Sequence, residues 1–347
     1  MSKPSVLIVG AGAVGLALGY HLSLAAADIT FLVRPGRKGV FAASQQLYCY
    51  DDNALKTFAA YSVVEDVAEL AEQQFQFVIV TLDGHASRSA EGTAVLRGLG
   101  DAIRDTDATM ILCGVGSGLR DHYLETMRIA DDRLLVGLLG MVSHQPSADL
   151  PVHAPTDPVQ LAKASVCYKH PANKIGFRIG TSNAAAARQF AELYNRSGVS
   201  RCSLVNPFLV NSASAFLPAY MACEIAGWPK DFATVVADKE LWRLACRAQG
   251  EIMALPQNGW LGKLMAMILG PRLTAYVHLS LERELRPLDY QAFSRFQHGG
   301  KVRAQDVESL GTDLADGQRQ GQPMAALQTL LARLAAHDAA SQAVTKG

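Results

Sequence analysis

The stretch Val6-Leu7-Ile8-Val9-Gly10-Ala11-Gly12-Ala13-Val14-Gly15 decides the fold. Its apolar opening reads as a buried strand, and the G-x-G-x-x-G that follows leads into an Ala- and Leu-rich stretch of helical composition. In that context each glycine has a task. Gly10 allows a tight turn, Gly12 lets the backbone approach a pyrophosphate, and Gly15 lets the helix pack close to the strand. The phosphates then sit on free N–H groups at the positive end of the helix, with Ala11, Ala13 and Val14 completing the loop. Without the strand before it and the helix after it, the same spacing would be an ordinary glycine turn.

Outward from this loop, short β-branched runs alternate with longer amphipathic stretches, the pattern of repeated βαβ units. Ser5–Val9, Ile29–Val33, Phe77–Thr81, Thr109–Cys113 and Leu134–Leu139 are predicted strands, apolar enough for a parallel sheet covered on both faces. Residues 12–25, 64–72, 86–103 and 118–128 are predicted helices. The second strand runs into Arg34-Pro35-Gly36-Arg37-Lys38. NAD-preferring proteins usually place Asp or Glu there to bind the ribose 2′-hydroxyl, whereas an arginine accommodates a 2′-phosphate. Arg34, with Arg37 and Lys38 nearby, therefore favours NADP(H) as cofactor over a merely solvated basic loop.

The chain has 347 residues, 49% hydrophobic and 18% charged, enough apolar content to fill a large core. A single core stops growing near about 250–300 residues, so two domains are expected. The 32 Lys+Arg balance the 32 Asp+Glu, which excludes a nucleic-acid partner held mainly by bulk charge. Cys49, Cys113, Cys167, Cys202, Cys223 and Cys246 are scattered, without zinc spacing, and read as reduced thiols; no metal is expected. No stretch approaches about 18 uninterrupted apolar residues. The expectation is a cytoplasmic protein without a membrane anchor.

Prolines 146, 151, 155, 158 and 171 mark a region of loops and edge strands. Residues 168–180 are predicted as a hairpin turning at Pro171-Ala172-Asn173, followed by a helix over 182–197 capped by Thr181 or Ser182. From residue 206 helical patterns take over, at 206–225, 231–253, 260–269, 306–319 and 324–339. The fold class is thus α/β, an N-terminal doubly wound parallel sheet followed by a mostly α-helical C-terminal domain. The divisions are 1–204 for the NADP-binding domain, 205–340 for a helical substrate or dimerisation domain, and 341–347 for a disordered tail. Trp242, Trp260, Met265 and Met267 fit helical core positions or a dimer surface. Glu282, Arg283, Glu284 and Arg286 fit a solvated helix face.

The opening loop, Val33-Arg34-Pro35-Gly36-Arg37, Val80-Thr81-Leu82, Cys113-Gly114-Val115-Gly116-Ser117 and Gly140 through His144 occur in the order found in the ketopantoate reductase (2-dehydropantoate 2-reductase) family, which the chain resembles. The resemblance implies a Rossmann-type domain, a helical domain, and NADPH-dependent reduction of a small 2-oxo acid or related carbonyl or imine in the interdomain cleft. It also implies that the strand-end residues Leu82, Asp83, Cys113 and Gly114 lie at the cofactor with the glycine loop and Arg34. The departures concern the chemistry. Asp83 stands where the family usually has a lysine, and Cys113 where it has an asparagine. If Asn211 matches the asparagine of the first helix of the second domain, the family's catalytic lysine position holds Pro207. The glutamate of the family's T-E-I-D segment aligns with Gln305.

Hydride reduction of a carbonyl builds negative charge on oxygen, which a positioned acid must neutralise. Ketopantoate itself is therefore not the expected substrate, and another acid is sought. Phe296-Gln297-His298-Gly299-Gly300-Lys301-Val302 supplies two, since paired glycines between His298 and Lys301 make a close-approach loop; a solvated surface turn is the competing reading. His144, at the carboxyl end of a predicted parallel strand, reads as a hydrogen-bonded structural histidine. The catalytic candidates are His298, Lys301 and Asn211. A catalytically inactive NADP-binding sensor or partner protein is the alternative, motivated by Pro207 and Gln305. The expected partners are a small-molecule carbonyl substrate, no nucleic acid and no membrane, with room for a homodimer through the helical domain.

Overall fold

In the computed structural model, which describes residues 3–346, the chain forms two compact units. The first comprises the residues up to Gly114, Gly118–Ala148 and Val152–Val210; the second comprises Val115–Ser117, Asp149–Pro151 and the chain from Asn211 onward.

The first unit holds twelve strands, β1 (Ser5–Val9), β2 (Asp28–Leu32), β3 (Gln45–Cys49), β4 (Ala54–Phe58), β5 (Ser62–Val64), β6 (Phe77–Val80), β7 (Thr109–Leu112), β8 (Leu134–Leu139), β9 (Val142–His144), β10 (Val166–Lys169), β11 (Ile175–Gly180) and β12 (Arg201–Val205). Eight of them form one sheet in the order β12-β11-β8-β7-β6-β1-β2-β5. The six from β8 to β5 are mutually parallel, while β11 joins β8 antiparallel and carries β12 parallel to itself. Alternation along the strands feeds two separate cores. Val6, Ile8, Phe77 and Ile79 pack on one face with helix α1 (Ala13–Leu24) and the helix Ala184–Asn195. Leu7, Val9, Val78 and Val80 pack on the other with Leu96, Leu99 and Ile103 of the helix Ala90–Ile103 and Tyr123 and Met127 of the helix Leu119–Met127. Both faces being covered, every residue of β6 is fully buried and apolar.

A second sheet, β4-β3-β10-β9, was not expected from the sequence. It also corrects the hairpin over 168–180. A turn does form, with Lys174 N–H donating to Pro171 O at 2.8 Å, but Lys174 sits at φ 57 and passes the chain from β10 in the small sheet to β11 in the large one. The helix over 64–72 is replaced by β5, paired with β2 at the sheet edge, and one 3-10 turn, Val67–Leu70. Asp66 and Glu69 close that turn as a reciprocal capping box. The helix over 86–103 is two, Gly84–Arg88 and Ala90–Ile103, because Ser89 is extended and its Oγ caps Gly92 N–H at 3.0 Å. Asn183 caps the helix Ala184–Asn195, since the Thr181 hydroxyl donates to Val205 O at 3.2 Å.

The helix over 206–225, which runs from the first unit into the second at Asn211, is likewise interrupted. Pro207–Asn211 is followed by a 3-10 turn, Ala213–Phe216, and by Leu217–Ile225. Pro218, which has no N–H to continue an earlier ladder, sits in the first turn of the last of these. Asp238 divides 231–253 by accepting from Leu241 N–H at 3.0 Å as the cap of Lys239–Met253. Pro271–Glu284 and Tyr290–Phe296 add two helices that the sequence reading lacked. The charge run ends the first of these, where Glu282 accepts from Phe232 N–H at 3.0 Å. The final helix, Ala325–Lys346, packs on Lys239–Met253 and buries Leu327, Leu330 and Leu334. Glu251 caps it, accepting from Ala326 N–H at 2.9 Å and Leu327 N–H at 2.8 Å. It runs past residue 339, so the stretch expected as a disordered tail is helical up to Lys346; Gly347 lies outside the described residues. Among the described residues no single helix is long and apolar enough to cross a membrane.

Helix α1 docks through two glycines on one face. A Cβ on Gly15 would lie 2.0 Å from Gly10 O, and one on Gly19 would lie 2.6 Å from Phe31 Cζ. The first obstacle is backbone, which no rotamer change relieves. Gly15→Ala is expected to lower the unfolding free energy by about 1–3 kcal/mol in urea titration. Gly12→Ala, whose methyl would meet nothing within 4 Å, is expected to lose less than about 1 kcal/mol.

Candidate functional site

The glycine loop follows β1 directly. Gly10 has φ 98, its N–H donates to Leu32 O at 2.9 Å, and a Cβ there would lie 2.9 Å from Thr81 Oγ1. Thr81 fixes the loop from the adjacent strand end, its hydroxyl lying 2.9 Å from Val9 O and 3.1 Å from Gly10 O. Gly12 is the N-cap of α1, extended at φ −81 and ψ −167, with no side chain capping the first turn. Ala13 turns its methyl into the core, Ala11 and Val14 are half-buried, and Gly12 is exposed. The first turn of α1 therefore offers backbone N–H groups on an open side, a place for an anion.

The carboxyl ends of β2, β1, β6 and β7 lie side by side, and the strand order reverses beside β1. That is where open α/β sheets bind ligands. At the end of β2, Arg34 and Arg37 are exposed, and Arg37 N–H donates to Arg34 O at 3.2 Å. Among the described residues neither has an ion pair. Lys38, expected to join them, instead pairs with Glu69 at 3.8 Å and donates its backbone N–H to Glu65. Two cations, not three, face outward there. After β6, Leu82 leads to Asp83, whose carboxylate caps the helix Gly84–Arg88 by accepting from Ala86 N–H at 2.7 Å. After β7, Cys113 is half-buried and burial raises its thiol pKa, so it is a neutral thiol. A Cβ on Gly114 would lie 2.9 Å from Leu119 Cδ2 and 3.1 Å from Leu82 O, so the loops after β6 and β7 run close together.

His144 does not end a parallel strand; β9 pairs antiparallel with β10. Its Nε2 lies 3.1 Å from the Tyr50 hydroxyl and its Nδ1 2.8 Å from Gln145 O, a structural arrangement.

In the second unit the segment from His298 to Lys301 is not a loop. It is a π-helical turn, Gln297–Lys301, joining Tyr290–Phe296 to Arg303–Arg319. The glycines serve packing, since a Cβ on Gly299 would lie 2.9 Å from the Trp228 ring. His298 stacks on Tyr220, with ring centroids 3.8 Å apart and planes 10° apart. Its Nδ1 lies 2.7 Å from Asp306 Oδ2, and Asp306 is 1% exposed. Gln305 donates to the other carboxylate oxygen at 3.4 Å. Lys301 shares the turn and is exposed; Asn211 is exposed at the end of Pro207–Asn211. The sequence reading missed Asp306 and Tyr220 as partners of His298. A helix at its usual period does not bring positions 298 and 306 together through one turn, so only the π turn reveals the pair. It also missed Asp313, which accepts from Ser117 and whose carboxyl is pushed up to about 6 by burial.

The six cysteines are free thiols. Trp242 is core, whereas Trp260 and Met267 are each 76% exposed.

Residues 6–97 match the family model of ketopantoate reductase PanE/ApbA. No curated protein matches the chain by sequence. Among solved structures, 2-dehydropantoate 2-reductase from Geobacter metallireducens GS-15 superposes with a TM-score of 0.67 at 16% identity, covering 95% of this chain and 98% of its own. D-mandelate dehydrogenase in a ternary structure with NADH and anilino(oxo)acetate gives 0.66 at 13% identity, covering 97% and 99%. A dimeric ketopantoate reductase from Staphylococcus aureus gives 0.59 at 14% identity, covering 96% and 98%. In the family match near its N-terminus and in fold along almost all of its length, the chain resembles the ketopantoate reductases.

Proposed function

We propose that the protein is an NADPH-dependent oxidoreductase that reduces a small 2-oxo acid, or a related ketone or imine, and acts in the cytoplasm. The observation that carries this reading is the glycine loop at the strand-order reversal, with an uncapped helix terminus beyond it and Arg34 past the neighbouring strand. Gly10, Ala11, Gly12, Ala13, Val14 and Gly15 would hold the pyrophosphate through backbone N–H groups. Arg34, with Arg37 beside it, would hold the 2′-phosphate. Leu82, Asp83, Cys113 and Gly114 would border the dinucleotide at the next two strand ends. When bound, NADPH supplies the hydride. The family match and the fold of the solved reductases support this reading.

The proton for the carbonyl oxygen comes, in this reading, from His298. Asp306 fixes its Nδ1 and Tyr220 its ring plane, which leaves Nε2 as the nitrogen able to donate. Lys301 and Asn211 serve as polar groups toward the substrate. This assignment meets the need created by Pro207, which has no proton to give where the reductase family has its lysine.

The exposed side chains Trp260, Met267 and Tyr276, on the helices Gly259–Ile268 and Pro271–Glu284, suit a homodimer contact.

Three outcomes are expected. In fluorescence titration NADPH binds more tightly than NADH, and Arg34→Ala weakens NADPH at least about tenfold, by loss of a charge-assisted contact, while leaving NADH unchanged. Across a panel of 2-oxo acids, ketones and imines at least one member drives NADPH oxidation, and His298→Ala lowers kcat about 10²–10⁴-fold without changing NADPH affinity. Tight NADPH binding with silence across the panel would instead favour a non-catalytic NADP-binding protein. In light scattering the chain is a dimer, and Trp260→Glu makes it a monomer.

A further inference from the structure

Helix α1 ends in a buried chain of hydrogen bonds whose proton count is fixed by geometry. His21, fully buried, has Nδ1 2.6 Å from Ala17 O and Nε2 2.8 Å from His170 Nε2. A carbonyl only accepts, so His21 Nδ1 carries a proton. Two ring nitrogens 2.8 Å apart cannot both present lone pairs, so one proton lies between them. Burial pushes the His21 pKa down to about 4, which leaves its Nε2 bare above that pH and makes His170 Nε2 the donor. His170 Nδ1 in turn lies 2.6 Å from Asp51 Oδ2.

Asp51 is a carboxylate. Burial opposes its ionisation, but hydrogen bonds and charge from His170 and Lys174 hold its carboxyl well below the usual range. Its oxygens also accept from Lys169 Nζ at 3.3 Å, Lys174 Nζ at 3.2 Å and His170 N–H at 3.3 Å. The proton on His170 Nδ1 therefore stays on the ring. The two histidines together hold three ring protons, one more than two neutral rings.

Among the described residues no other group facing the pair supplies or removes that charge. Tyr168 and Tyr194 face the His21 ring at centroid distances of 5.3 and 6.0 Å, and Tyr20 precedes it on α1. Burial raises the pKa of all three, and of Cys49 beside Tyr168, so they stay neutral. Farther out Asp52 and Lys56 pair with each other. Among the described residues, the groups that meet the Asp51 carboxylate at the cluster are Lys169, Lys174 and His170.

We propose that His21, His170 and Asp51 form a one-proton clasp that fixes the C-terminal end of α1 to the small sheet, and that opens when the shared proton is lost or another is added. The pH dependence follows from linkage. The folded pair holds one excess proton throughout the range in which the clasp is closed. The unfolded pair, two ordinary histidines near about 6.5, together hold one excess proton only at about pH 6.5. Above that pH the unfolded chain binds fewer protons than the folded one, so stability falls as pH rises; below it the unfolded chain binds more, so stability falls as pH falls. The clasp therefore stabilises most at about pH 6.5 and less on both sides.

Histidine ¹⁵N NMR on the full chain tests the proton count, and thermal melts across pH 5–9 test its consequence. At pH 7 the spectra are expected to show His21 protonated on Nδ1 alone and His170 on both nitrogens. His170→Gln keeps an N–H toward His21 but does not titrate, so the wild-type minus variant Tm difference isolates the His170 proton and is expected to be largest below about pH 6.5 and to shrink as pH rises above it. A singly protonated His170 at pH 7, or a Tm difference that does not shrink above about pH 6.5, overturns the proposal. If His170→Gln does not fold, the wild-type spectra alone decide.

Discussion

The carbonyl oxygen of Gly10 lies where a side chain at position 15 would begin, so α1 can approach β1 only while position 15 carries none. This close approach sets the geometry around it. It brings the uncapped first turn of α1 against the strand ends, lets Thr81 reach both Val9 O and Gly10 O, and allows Gly19 to sit on Phe31. A helix held at ordinary distance would carry its N–H groups away from the point where the strand order reverses. The open backbone N–H groups at the first turn are thus a consequence of packing, in which Gly15, without a side chain, lets backbone meet backbone.

Burial sorts the histidines into roles. His278 stacks on Phe232 with ring centroids 4.5 Å apart, hydrogen-bonds Tyr290 at 2.9 Å, and is pushed down to about 4 by desolvation, so it is neutral near pH 7. His144 is held by a hydroxyl on one nitrogen and a carbonyl on the other. His298 differs from both in being half-buried, with a buried carboxylate on one nitrogen and the face of a tyrosine beneath its ring. An acid needs a partner that stabilises its charged form and an edge from which to deliver the proton.

The legibility of the sequence followed the physics of each element. Phe77–Val80 is readable because a strand buried on both faces must be apolar at every position. Gly10, Gly12 and Gly15 are readable because few contexts require that spacing between a strand and a helix. The small sheet is not, since Gln45, Gln46, Lys56 and Thr57 interrupt its strands and its pairing joins segments far apart in the chain. The neutralisation of Lys38 depends on Glu65 and Glu69, which only the edge strand β5 brings near. The partners of His298 were hidden by one unusual turn, and the breaks at Ser89 and Asp238 by side chains that cap where a helical pattern otherwise runs on.

The two units are not consecutive lengths of chain. Val115–Ser117 and Asp149–Pro151 belong to the second unit although the residues on either side of them belong to the first. Ser117 donates to Asp313, a residue encoded almost two hundred positions later. A chain cut near residue 210 would take from the buried acid Asp313 the hydroxyl that Ser117 supplies. The second unit is therefore complete only with short segments that lie within the first unit's stretch of chain.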